Sequence, residues 1–70
     1  MKRIAKFLES QGCSHVNIDG DTVWFYTPAG EIGSVTRHRG GGMTEYIGHE
    51  QYVHRDMASL RQAWKEGAMV

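Results

Sequence analysis

Gly20-Asp21-Thr22-Val23-Trp24-Phe25-Tyr26-Thr27-Pro28 is the stretch whose reading decides the fold. Asp19-Gly20 is a two-residue hairpin signal, because a tight turn of this kind demands positive φ at its centre. The β-branched and aromatic run that follows, Thr22 to Thr27, predicts a strand. Val23 and Phe25 point to one side of it, Trp24 and Tyr26 to the other. Thr27-Pro28-Ala29-Gly30 then predicts a turn, with proline pre-set at its second position.

Working outward, His15 to Asp19 alternates, with Val16 and Ile18 on one face, and predicts a preceding strand. Glu31 to Arg37 predicts a third strand, Ile32, Ser34 and Thr36 facing away from Gly33, Val35 and Arg37. Short turns between these runs imply an antiparallel meander. At the N-terminal side, Ile4, Phe7 and Leu8 recur at helical spacing, so a helix is expected from about Lys2 to Gln11, ended by Gly12. A second helix is expected from about Met57 to Glu66, with Asp56 as N-cap and Met57, Leu60 and Trp64 on one face. The glycine run Gly40-Gly41-Gly42 ends the third strand, since three glycines are costly to hold in a regular element. Met43 to His54 reads three ways: a short extra strand, a helical turn or an ordered loop. The expected class is α+β, in the order α-β-β-β-α. Its three-stranded antiparallel meander carries both helices on one face, and a Gly-rich loop segment spans about 39–55. Residues 1–70 are read as a single domain without repeats.

The bulk properties narrow the function classes. Seventy residues bury a marginal core, which makes a homodimer an open option. Eight basic and eight acidic side chains cancel, which disfavours a purely electrostatic nucleic-acid binder. One cysteine, Cys13, cannot form an internal disulfide; with no membrane-spanning run or leader pattern, a cytoplasmic protein is expected. His15, His38, His49 and His54 with Cys13 match no zinc spacing, so no metal and no cofactor are expected.

Several segments, in order, resemble the HicA family of RNA toxins, over most of the chain. Gly20 to Pro28 is similar to that family's Gly-Ser-His-x-x-Phe-x-x-Pro segment and keeps Gly20, Phe25 and Pro28. Val35-Thr36-Arg37-His38 is similar to its Val-Pro-x-His. Ala58-Ser59-Leu60-Arg61-Gln62-Ala63-Trp64-Lys65 is similar to its Gly-Thr-Leu-Arg-x-Ile-Leu-Lys. The resemblance implies a double-stranded-RNA-binding-type fold and RNA chemistry carried by a histidine. Thr22 stands where that histidine would be. A hydroxyl cannot exchange a proton near neutral pH as imidazole does. The expectation is therefore a non-catalytic binding module.

Its candidate binding residues are Thr22, Trp24, Tyr26, Arg37, His38, Arg39, Tyr46 and Tyr52. Arg37 and Arg39 suit phosphate; the aromatic residues suit base stacking or a protein interface. The expected partner is a protein or ribonucleoprotein, as for phage-type inhibitors of nucleic-acid-handling or defence complexes. No membrane partner is expected. RNA itself is the alternative, with His38 as the one candidate catalytic residue of an mRNA interferase.

Overall fold

The computed structural model describes residues 1–67. A helix, α1 (Lys2–Ser10), precedes five strands: β1 (Ser14–Asp19), β2 (Thr22–Tyr26), β3 (Ile32–Arg37), β4 (Met43–Ile47) and β5 (Glu50–His54). A second helix, α2 (Met57–Lys65), follows. The strands form one antiparallel sheet in the order β1-β2-β3-β4-β5, so every neighbour in sequence is a neighbour in space. The class is α+β with two helices, as expected.

The sheet is larger than the expected three strands. Met43 to His54, left open between strand, helical turn and loop, is a complete hairpin. Met43↔His54 through Ile47↔Glu50 pair in register around Gly48-His49. The segment expected as a Gly-rich loop at 39–55 is thus mostly hairpin, and besides the short turn at Gly48-His49 its loop part is the connection from His38 to Gly42. There the His38 N–H donates to the Gly42 carbonyl at 2.8 Å, and Gly40 and Gly41 adopt φ of 88° and 95°. Left-handed backbone at two successive positions is what glycine permits without strain.

α1 ends in a Schellman motif. The Gly12 N–H donates to Glu9 O at 3.0 Å and the Cys13 N–H to Leu8 O at 3.1 Å, with Gly12 at φ 91°. α2 starts on Asp56, whose carboxylate accepts from the Ser59 N–H at 2.8 Å. Both helices lie on one face of the sheet. Ile4, Ala5 and Leu8 of α1 and Leu60 and Trp64 of α2 share a core with Val23, Phe25, Val35, Met43 and Ile47. Strand alternation puts those five strand residues on the helix side and leaves the other face of the sheet uncovered.

Cross-strand register explains how the core closes. Phe25 stands opposite Gly33, and its ring occupies the space a Cβ there would need, 2.5 Å from the ring edge. Phe25 also meets Trp64 edge-on, ring centres 6.3 Å apart. No helix among the described residues is long and apolar enough to cross a membrane.

Candidate functional site

The uncovered sheet face is the most distinctive surface of the molecule. Register assigns its members row by row. Asn17, Trp24, Ser34, Tyr46 and Gln51 form one row across all five strands. Asp19, Thr22, Thr36, Thr44 and Val53 form the next. Tyr26 and Ile32 pair in a third row at the other end of their strands. Trp24 and Tyr46 are each 45% exposed, Ile32 52% and Val53 76%. Ser34, between the two aromatics, is buried. Its small side chain leaves a groove of about 340 Å³ with Trp24 and Tyr46 as walls, Ile32 at its end and Gly33, Ser34 and Gly48 beneath.

The polar rows hold this surface in place. The hydroxyls of Thr22 and Thr36 lie 3.0 Å apart across β2 and β3. His38 Nε2 bonds Thr44 Oγ1 at 2.7 Å. His15, at φ 53°, sits in a bulge of β1 and meets the Tyr26 ring edge-on at 5.5 Å between centres. Within the five strands, the rows of this face carry a single charged side chain, Asp19 at one corner, and neither lysine nor arginine.

Of the eight sequence candidates, five share this face: Thr22, Trp24, Tyr26, His38 and Tyr46. The other three do not. Alternation turns Arg37 to the helix side, where it pairs with Asp21 at 3.7 Å and lines a crevice with Met43 and Met57. Arg39 is exposed in the glycine turn. Tyr52 faces the helices opposite Glu45, half-buried against the core. The Arg37-His38-Arg39 run is therefore split over two faces and a turn. Sequence reasoning grouped Ile32 with Ser34 on one side of the third strand but named neither of them, nor Val53, as a candidate, although strict alternation from Trp24 through the paired strands reaches all three.

A second polar group lies beneath the sheet. Glu45 is fully buried on the helix side of β4. His54 Nε2 lies 2.8 Å from its Oε1, and the Trp64 indole N–H donates to its Oε2 at 3.0 Å. Burial raises the Glu45 carboxyl above the ordinary range, outweighing the hydrogen bonds from His54 and Trp64 that favour its ionised form. Cys13 is buried too, and burial, aided by the Glu45 charge, pushes its thiol up to about 11. These groups are closed off from solvent, so they have the character of a structural network rather than a site. Among the described residues, no three His, Cys, Asp or Glu side chains converge as metal ligands would.

No protein-family model matches the chain, and no curated protein or solved structure does either.

Proposed function

We propose that the chain is a non-catalytic binding module that engages a protein, or the protein surface of a nucleoprotein, through its uncovered sheet face. The observation that carries this reading is the Trp24–Ser34–Tyr46 groove on a face without lysine or arginine. Half-exposed aromatics around a small-residue depression are what protein interfaces use as anchors. Apolar area left open on a small domain marks an interaction surface. A nucleic-acid platform needs cations beside its aromatics to meet the phosphates, and here Arg37 and Arg39 lie elsewhere. On this reading the chain is a HicA-like scaffold in which Thr22 replaces the catalytic histidine. It acts by occupying the surface of a larger nucleic-acid-handling or defence complex, in the manner of a phage-type inhibitor.

One observation favours the RNA alternative: His38 stands on the same face as Trp24 and Tyr46, bonded to Thr44. Parallel assays separate the two. Tagged wild type is compared with Trp24→Thr/Tyr46→Thr for retention of a defined protein partner, and both are titrated against structured RNA at two salt concentrations. Loss of protein retention in the double variant, with no RNA shift for wild type, is the expected result. An RNA shift, or RNA cleavage that His38→Ala removes, overturns the protein reading.

A further inference from the structure

The two edges of the sheet are not alike. β1 is guarded: its pairing with β2 breaks between Ser14 and Asn17, and His15 takes a left-handed backbone there. A bulge of this kind is one way proteins keep an edge from pairing. β5 has no bulge; α2 packs against it as α1 packs against β1, and among the described residues no strand pairs along its outer side. β5 pairs with β4 without a break from Glu50 to His54, and it contains no proline, lysine or glycine.

The free hydrogen-bonding groups of β5 follow from the register. The Gly48 N–H donates to Ile32 O, so even-numbered residues of β4 point their backbone toward β3. Met43, Glu45 and Ile47 therefore bond β5 through His54, Tyr52 and Glu50. Gln51 and Val53 are left with N–H and C=O groups directed outward. Val53 is also the most exposed of the large apolar side chains, at 76%.

We infer that β5 pairs antiparallel with β5 of a second copy of this chain, about a two-fold axis through Tyr52, joining two sheets into one of ten strands. The pairing that uses all five residues is self-complementary. Gln51 of one copy faces Val53 of the other, and each such pair exchanges two backbone hydrogen bonds, four in all. Glu50 faces His54, Tyr52 faces its own counterpart, and no like charges meet. The two-fold axis keeps both sets of helices on one side, so the two uncovered faces become one continuous surface.

That continuity deepens the binding proposal, on which its purpose rests. A face of five strands about 4.8 Å apart and five residues of about 3.4 Å covers only about 400 Å² in plan. A specific interface uses about 800 Å² per partner. Edge pairing doubles the plan area of the face and so brings it toward interface size.

Sedimentation equilibrium of the wild type from low-micromolar to near-millimolar concentration tests the inference. A concentration-dependent doubling of mass is expected, with the amides of Gln51 and Val53 exchanging more slowly as concentration rises. Val53→Pro, which deletes an outward N–H and spares the β4 ladder, is expected to be monomeric with an unchanged circular dichroism spectrum. Tyr52→Cys is expected to form a disulfide-linked dimer on oxidation, because a non-hydrogen-bonded pair brings Cα atoms to about 4.5 Å. Trp24→Cys is expected to stay unlinked. A wild type monomeric at every concentration, or linkage through Trp24→Cys in preference to Tyr52→Cys, overturns the inference. A monomer that still retains its protein partner overturns this pairing alone and leaves the binding reading standing.

Discussion

Glu45 is the residue on which the interior turns. A carboxyl group without solvent exposure is costly unless every oxygen is paired, and here both are, by His54 and Trp64. Because its folded pKa is raised, its contribution to stability is fully present below the ordinary carboxylate range. That contribution is lost as pH climbs through the raised value. Glu45→Gln removes the titration and keeps an acceptor for the indole N–H. Urea unfolding of both proteins at steps from about pH 4 to about pH 8 should show wild type losing stability relative to Glu45→Gln as pH rises; parallel profiles would contradict this. Glu45→Ala strands the His54 and Trp64 polar atoms and should cost about 3 kcal/mol. Cys13 offers a second check on the same region. With its thiol pushed up to about 11, little thiolate exists near neutrality. A thiol-reactive dye at mildly alkaline pH should therefore label the unfolded chain at once and the native chain only at its opening rate.

Among the elements, β2 and β3 meet closely where Phe25 lies over Gly33. A Cβ at position 33 would fall 2.5 and 2.6 Å from two Phe25 ring atoms and 3.1 Å from Ile47 Cδ1. The ring is also packed edge-on against Trp64, which limits its room to adjust. Gly33→Ala should therefore cost about 1–3 kcal/mol through overpacking, read as a lower urea midpoint with unchanged slope. The smaller variant Phe25→Leu in the Gly33→Ala background should recover part of it. The same pair shows why some elements were legible in the sequence and others were not. β1, β2, β3 and both helices announce themselves through alternation or helical spacing, and Asp19-Gly20 marks its turn. β4 hides because one of its three inward positions is Glu45, a charged residue that reads as solvent-facing until His54 and Trp64 are known to meet it. β5 hides because Val53, its apolar residue of highest strand propensity, points outward while His54 points in. The turn between them, Gly48-His49, lacks the Asn-Gly or Asp-Gly signature. The site followed the elements. Trp24, Tyr26 and Tyr46 were readable as candidates, but only the register of β4 could bring Tyr46 level with Trp24. The same register moved Tyr52 to the helix side.

At the scale of the whole molecule, the proposed reading puts stability and binding on opposite faces of one sheet. Among the described residues, the largest fully buried side chains all lie on the helix side: Leu8, Val23, Phe25, Val35, Glu45 and Leu60. A domain of 70 residues has about 4–10 kcal/mol of stability in total. Leu60→Ala opens a cavity worth about 2–5 kcal/mol, a large share of that margin. On the uncovered face, Trp24 and Tyr46 remain almost half exposed, and each contributes cross-strand contact of about 1 kcal/mol at most. Threonine at those positions keeps the strand propensity of the chain. Trp24→Thr/Tyr46→Thr should therefore melt close to wild type and lose its partner. Leu60→Ala should melt far lower and, at a temperature where it is still folded, bind as wild type does. Thermal unfolding followed by binding at a temperature below both transitions measures the two properties separately. If the face variant lost stability in step with affinity, the aromatics would be packing elements rather than anchors. If Leu60→Ala lost affinity while folded, the binding surface would extend around the helix side of the sheet.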